Sequence, residues 1–422
     1  MKKARIGMFG CGNIGQGVVK ILERNADFIA KKTDIDIDLK NIVVRDPKKE
    51  RYINTSGYFF SNDPSQILDN EDIDIVIELV GGVKDAKDIV FNALKKKKHV
   101  VTANKALMAE YGDEIFRLAK ENNVKVNYEA SVGGCIPIIK ALDVSLVSDR
   151  INSIFGILNG TTNYILSKMA NEKMDYDKAL KRAQDLGFAE SDPRFDLSGK
   201  DAAQKLVVVS RLAFNTDVNI DDIYVEGIEG IKLVDIKASD DMGFAIKLLA
   251  IAKREKDMIE MRVHPVLIKK DHLLAKVNDE INAVVVHGEN VKEQMYYGRG
   301  AGQLPTASAV VSDIIDIFRR GEMDFNYESF KTRKIDDLEL KYYMRFMVED
   351  KPGVLAAVTK ILADYGISIF SIHQKEGKKE NVPVVLMTHK AKESMIKRAV
   401  SEIDRLDIIK GKTLLLREES LD

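Results

Sequence analysis

The sequence predicts an α/β protein in three parts: a doubly wound parallel sheet, an α+β domain, and a small βαββαβ module. Three observations predict it. Apolar strands alternate with amphipathic helices through the first third of the chain, the rhythm of a parallel sheet with helices on both faces. Near Glu129 that rhythm breaks at Gly133, Gly134 and Pro137, and β-like runs then mix with helices. Beyond a charged connector at 331–339, six apolar runs read β-α-β-β-α-β. A chain of 422 residues fits about three domains on a prior of roughly 150 residues each.

In order, the first part reads as strand 5–9, helix 13–25, strands 39–44 and 73–78, helix 85–96, strand 99–102, helix 113–122 and strand 124–128. Runs 151–158 and 283–287 are β-like and belong to the second part. A helix-like stretch at 306–319 follows a second glycine loop, 298–302, and is expected to return to the first part. The last module reads as strand 342–348, helix 354–365, strands 368–373 and 382–388, helix 393–405 and strand 412–417.

Composition excludes several classes. Formal net charge is −1 from 65 basic and 66 acidic side chains, which leaves no footprint for nucleic acid or an anionic membrane. The run Lys95 to Lys98 reads as a solvated helix end. No segment approaches the ~18 uninterrupted apolar residues of a spanning helix, and no signal-like stretch precedes the first strand, so the chain reads as soluble and cytoplasmic. Cys11 and Cys135 form no disulfide or metal pattern. The six histidines have no ligand spacing.

Gly10-Cys-Gly12-Asn-Ile-Gly15 follows a strand and opens a helix. In that Rossmann-type context Gly10 permits the tight turn, Gly12 lets backbone approach a pyrophosphate, and Gly15 allows close helix packing. The helix N-terminus supplies free N–H groups and positive dipole to the anion. The second strand ends in Arg45 and Asp46. Arg45, with Lys48, Lys49 and Arg51 behind it, favours the 2′-phosphate of NADP, while Asp46 keeps NAD open. Lys105 follows a later strand, at the crevice where nicotinamide and substrate meet.

Residues 190–205 carry four carboxylates, Glu190, Asp192, Asp196 and Asp201, and end on Lys205 before an apolar run. Asp201 and Lys205 share one helix face at four-residue spacing. Such a cluster suits a substrate with an ammonium and a reacting oxygen. The plainer alternative makes Asp201 an early residue of a helix capped by Ser198.

The glycine loop, Thr102-Ala-Asn-Lys105, Glu129-Ala-Ser-Val-Gly-Gly-Cys-Ile-Pro137, Leu158-Asn-Gly-Thr-Thr-Asn163, Gly187-Phe-Ala-Glu-Ser-Asp192 and Asp196-Leu-Ser-Gly-Lys-Asp-Ala-Ala-Gln-Lys205 together resemble the homoserine dehydrogenases over about 4–325. The C-terminal module, with Asp350-Lys-Pro-Gly-Val-Leu355 before its first helix, resembles an ACT domain. No aspartokinase segment precedes the glycine loop, as in the monofunctional form.

The resemblance implies a dinucleotide-binding domain over 1–134 with 303–329. It implies an inserted catalytic and dimerisation domain over 135–302 and an ACT-like regulatory domain over 340–422. It also implies NAD(P)-dependent interconversion of L-aspartate 4-semialdehyde and L-homoserine, on the route to threonine and methionine. Carried over by position, Asn13, Ile14 and Lys105 contact the dinucleotide, with Gly187 and Gly302 at its nicotinamide end. Glu190, Asp201 and Asp196 line the substrate pocket, and Lys205 is the proton donor, with Lys105 a second electrostatic contributor. Glu129, Val132, Gly134 and Ile136 match a monovalent cation site, commonly sodium, built largely from carbonyls. The ACT-like module implies an allosteric amino acid, with threonine the natural inhibitor, and the family core implies a homodimer.

Two alternatives stand beside this reading. A thioester-forming semialdehyde dehydrogenase would use Cys135, but needs a nearby base, and no histidine occurs between His99 and His264. A ligand-binding sensor would have no need of a proton donor.

Overall fold

The computed structural model describes residues 2–319, 331–374 and 381–419. The chain divides into two compact units, Met1–Asn152 with Gln204–Ile220 and Asn282–Ser329, and Ser153–Ala203 with Asp221–Ile281 and Phe330–Asp422. Among the described residues no helix is long and apolar enough to cross a membrane.

The first unit is built on six strands: β1 (Lys2–Phe9), β2 (Ile35–Val43), β3 (Phe59–Ser61), β4 (Ile75–Glu78), β5 (His99–Thr102) and β6 (Val126–Asn127). They lie in the order β3-β2-β1-β4-β5-β6, and every pairing is parallel. This is the 3-2-1-4-5-6 order of a dinucleotide-binding sheet, and its crevice lies at the strands' carboxyl ends where the order reverses. β4 is buried at all four positions, as expected of a strand covered on both faces.

The helix after β1 runs Asn13–Thr33, past the Asn25 end read from the sequence. Leu22 and Ile29 are both buried and continue the apolar stripe at heptad-like spacing, so packing overrides the stop signal. The helix Gln303–Arg319 packs along it. A Cβ on Gly17 would meet Gln303 O at 2.8 Å and Ala307 Cβ at 2.9 Å, so only glycine allows this approach.

Lys98 corrects the lysine-run expectation. Lys97 adopts φ +56°, and the turn sends Lys98 inward. Its ammonium donates to Asn70 O (2.6 Å) and Ile73 O (2.8 Å). Burial lowers its pKa from the usual lysine value.

The second unit is organised by a long hairpin, Phe244–Glu255 against Met258–Lys269. Ile151–Ile157 lies antiparallel along the first of these strands. The last strand of the chain, Leu414–Glu418, pairs in parallel with the second and antiparallel with Glu339–Glu349. Asn381–Thr388 and then Ile369–Gln374 complete the C-terminal module. Its helices, Val354–Asp364 and Glu393–Ile403, pack Val358, Leu362, Ile396 and Ile403 onto Tyr342, Phe346 and Leu386. Six elements in the β-α-β-β-α-β order match the sequence expectation. The sequence did not indicate that the module's sheet continues into the long hairpin, which covers an edge that would otherwise expose unpaired backbone groups.

Buried ionic groups pin the module. Asp235, fully buried, accepts from Tyr343 Oη (2.9 Å), Lys232 N (2.7 Å) and Arg345 Nε. Truncating one member of such a group strands a buried charge. Asp235→Ala is expected to lose about 3–5 kcal/mol of stability in denaturant titration. A loss below ~1 kcal/mol would mean that Arg345 finds water or another acceptor.

Candidate active site

In the first unit, β1 ends at Phe9, and the next residue, Gly10, with φ of +93°, turns the chain while Gly10 N donates to Val43 O at 2.9 Å. Gly12 is the N-cap residue of the following helix and offers no side-chain cap. A Cβ on Gly12 would meet nothing within 4 Å, so space for an anion lies open above the helix N-terminus. A Cβ on Gly15 would press to 2.5 Å of Gly10 O. Asn13 is exposed and Ile14 half-buried. Gln303 Nε2 donates to Asn13 O (3.0 Å) and Oδ1 (2.9 Å), tying the loop to the returning helix. Gly302, just before that helix, has φ +122°.

Arg45 is exposed beyond β2 and pairs with Asp85 at 2.9 Å. Asp46 accepts from Lys48 N at 2.9 Å, and Arg51 donates to the carbonyls of Asp46 and Lys49 while lying over the Phe60 ring. Cys11 is buried and Cys135 exposed, both as free thiols.

Lys105 opens the helix Lys105–Glu121, which begins well before the expected 113 because Asn104 caps it, accepting from Leu107 N at 3.1 Å. Glu78, at the end of β4, organises this corner. Its carboxylate accepts from Thr102 Oγ1 (2.7 Å) and Val80 N (2.8 Å). Asn104 N donates to Thr102 Oγ1 (3.0 Å) and Asn104 Nδ2 to Gly82 O (2.6 Å). Burial raises the Glu78 pKa against these donors.

The segment 129–136 forms a tight turn in which Gly133 and Gly134 have φ of +70° and +62°. A Cβ on Gly134 would lie 2.9 Å from Arg299 O and 3.0 Å from Gly300 O, so carbonyls from a second segment converge on the turn. The Glu129 carboxylate is committed elsewhere, accepting from Ile139 N and Lys140 N, both at 2.9 Å. Burial pushes it up to about 7. Val132 and Ile136 are buried.

In the second unit, Asn159 caps the helix Gly160–Asn171, accepting from Thr162 N at 2.8 Å. Its amide donates to Asp196 Oδ1 (2.9 Å) and Asp201 Oδ2 (2.8 Å). The Thr161 hydroxyl lies 2.8 Å from Asp196 Oδ2 and 2.7 Å from Phe188 O. One amide thus holds two of the acids predicted from the sequence at a helix N-terminus, whose dipole favours negative charge. Asn159 and Thr161 were not assigned roles from sequence, although the Asn-Gly-Thr-Thr pattern is a helix-start signal.

Asp201 and Lys205 are buried in one helix, Lys200–Phe214. Because that helix starts at Lys200, Ser198 is not its cap; Ser198 Oγ donates to Phe195 O at 3.3 Å. Glu190 is exposed and its carbonyl accepts from Gln184 Nε2. Among the described residues the Asn159 network takes in Asp196 and Asp201 but not Glu190. Asp192 pairs instead with Arg194, which holds its carboxyl down to about 2. Gly187 has φ +75° with open space beside it. Further along the Lys200–Phe214 helix, Arg211 donates to Met108 O (2.7 Å) and Ala109 O (3.3 Å). It thereby fastens the helix of Lys205 to the helix that Lys105 opens.

A parallel sheet that leaves a helix N-terminus open at its crevice, in a chain that also buries an acid and a lysine in one helix, fits the class of nicotinamide-dependent oxidoreductases. Family models match in three stretches: "Homoserine dehydrogenase, NAD binding domain" over 10–129, "Homoserine dehydrogenase" over 137–315 and "ACT domain" over 342–407. The homoserine dehydrogenase of Neisseria gonorrhoeae is 42% identical with both chains fully covered, and that of Bacillus subtilis 39% identical over 97% of this chain and 96% of its own. A solved homoserine dehydrogenase from Thiobacillus denitrificans superposes with a TM-score of 0.93 at 40% identity, covering 100% of this chain and 99% of that one. A hyperthermophilic archaeal homoserine dehydrogenase in complex with NADPH gives 0.63 at 25% identity, covering 77% and 100%. The chain belongs to the homoserine dehydrogenase family. It is an oxidoreductase with a nicotinamide-cofactor domain and a C-terminal ACT domain, which sets aside the thioester and sensor alternatives.

A second residue of the Asn-Gly-Thr-Thr-Asn motif is also engaged. Asn163 Nδ2 donates to Val277 O, Asp279 O and Ile281 O, and the buried Lys247 ammonium donates to Asn163 Oδ1 (3.0 Å) and Val277 O. Burial pushes Lys247 down to about 8, with Asp279 opposing the shift. From about 8 to the ordinary 10.5 the unfolded chain binds more protons, so this group makes stability rise with pH. Wild-type stability relative to Lys247→Met is therefore expected to climb between pH 8 and 10, by at most about 1.4 kcal/mol per unit. A flat difference in thermal melts across that window would contradict the assignment.

Proposed function

We propose that the chain catalyses the reversible NAD(P)-dependent reduction of L-aspartate 4-semialdehyde to L-homoserine, with NADP preferred and threonine as feedback inhibitor. The observation that carries the substrate reading is the Asn159 amide holding Asp196 and Asp201 together. Asp201, with Glu190, pairs with the substrate's ammonium, and Asp196 lines the same pocket.

The bound nicotinamide supplies hydride to the aldehyde carbon. The carbonyl oxygen gains negative charge as that bond forms, and Lys205 gives it a proton, leaving the alcohol and a neutral amine. Lys105, at a helix N-terminus held by Asn104, adds positive charge on the cofactor side. Gly10, Gly12, Asn13, Ile14 and Gly15 receive the pyrophosphate, Gly187 and Gly302 border the nicotinamide end, and Arg45 meets the 2′-phosphate. The open space at Gly12 fits a phosphate, and the NADPH-bound archaeal relative supports the NADP preference.

Oxygen-rich surroundings suit a hard cation. We assign a sodium ion to the carbonyls of Glu129, Val132, Gly134 and Ile136, with the Glu129 carboxylate left to cap 138–140. The domain assignment is 1–134 with 303–329, 135–302 and 340–422, parts of which lie outside the described residues. The packing of Gln303–Arg319 on Asn13–Thr33 supports the returning segment. The enzyme acts in the cytoplasm as a homodimer.

Initial rates with aspartate semialdehyde and NADPH or NADH, with and without millimolar threonine, test the reading. NADPH-driven turnover that threonine suppresses is expected. No aldehyde-dependent NADPH oxidation would overturn it, and an unchanged rate with threonine would remove the feedback role. In the same assay Lys205→Ala is expected to lower kcat by roughly 10²–10⁴ with NADPH affinity retained. Near-normal turnover would remove Lys205 as the proton donor.

A further inference from the structure

Behind the acid pair lies a backbone-to-backbone contact that hydride and proton transfer do not require. Tyr224–Val225 pairs in parallel with Arg262 and Val263, and Glu226 N donates to Val263 O at 2.8 Å. The next residue, Gly227, lies so close to the turn 196–199 that a Cβ there would sit 2.7 Å from Ser198 Cα. Ile228 N donates to Leu197 O at 3.0 Å. Gly199 meets the same segment from the turn's other end: its Cβ would lie 3.2 Å from Val225 Cγ1 and 3.3 Å from Glu226 O. Its φ of +83° independently disfavours a side chain. At Gly227 the two backbones touch directly, and at Gly199 the Val225 side chain and Glu226 O close on the turn, so the segments are joined by a hydrogen bond with little room to absorb a displacement. Asp196 and Asp201 flank that turn on either side.

What fixes the segment 224–228 is a residue of the C-terminal strand. Arg417, 1% exposed, donates from Nη1 to Glu226 Oε2 (2.8 Å) and from Nη2 to Tyr224 Oη (3.2 Å). Its Nε and Nη2 also donate to the fully buried Glu393 carboxylate at 2.9 and 2.5 Å. Tyr224 Oη in turn donates to Glu226 Oε2 at 2.8 Å. The guanidinium is a rigid planar fork, and close-packed interiors transmit displacement.

We propose that Arg417, acting through Glu226, is a positioning residue for the substrate-binding acids, so that the C-terminal module sets where Asp196 and Asp201 stand. The inference rests on those acids holding the substrate, as proposed above. It gives the module a part in the unliganded enzyme's substrate affinity, whatever effector it binds. The route is continuous: module strand, guanidinium, Glu226, Gly227, the 196–199 turn, the acids.

Glu226→Gln tests it with little risk to folding, because this side chain is 33% exposed and the replacement keeps its shape. Arg417→Met and the double variant complete a cycle, and Asp201→Asn serves as the control on the site. The full-length enzyme is assayed for kcat, for KM of the aldehyde and of NADPH, and for Tm. Glu226→Gln is expected to raise the aldehyde KM about 2- to 30-fold, the span that changes along a packed coupling route produce. The NADPH KM should stay within about twofold, and the double variant should be no worse than the larger single one, as coupled residues require. If Asp201→Asn raises the aldehyde KM while Glu226→Gln lowers only Tm, the link is structural and the proposal is wrong. If Asp201→Asn leaves the aldehyde KM unchanged, the acid assignment has failed and the proposal falls with it. Should Arg417→Met not fold, Glu226→Gln decides alone.

Discussion

The geometry of the proposed substrate side depends on one side-chain amide. Two carboxylates brought close in a poorly solvated pocket repel, and each resists burial unless donors meet it. Asn159 meets both with the two protons of one nitrogen, at 2.9 and 2.8 Å. Its oxygen is meanwhile occupied by Thr162 N, which fixes which way the amide faces. Thr161 provides a further donor, and the helix N-terminus supplies positive potential. Both acids are thereby held at one place, where the proposed substrate ammonium would meet them.

Each unit holds its proposed site residues in place by different means. In the first, Glu78, Thr102 and Asn104 form a chain of hydrogen bonds that fixes where the Lys105 helix starts. Arg211 binds that helix to the one carrying Lys205. In the second, glycines at 199 and 227 bring backbone against backbone behind the acids. The buried ionic groups around Asp235 and Arg417 are costly to assemble and contribute little net stability compared with apolar packing. Their value here is geometric, since a bidentate guanidinium accepts few arrangements.

Periodicity carried most of the fold. The β5 limits, His99 to Thr102, and the order of the last six elements could be read from alternation and apolar runs because both are local. The misreadings had non-local causes. Asn25 looked like a helix end, but burial of Ile29 carried the helix to Thr33. Four consecutive lysines looked solvated, but a left-handed turn at Lys97 aimed the fourth at two carbonyls. For the site, spacing placed Asp201 and Lys205 on one helix and the glycine loop against a strand. It could not reveal that Asn159, 37 and 42 residues before the two acids in sequence, would hold them. Nor could it show that the last strand of the chain reaches Glu226.

Steady-state kinetics of Asn159→Ala test the central claim most directly. Hydrogen bonds to charged groups contribute roughly 1.5–3 kcal/mol, so the KM for aspartate semialdehyde should rise by about tenfold or more while the NADPH KM is retained. An unchanged aldehyde KM in a folded variant would contradict the claim that this amide shapes the substrate site.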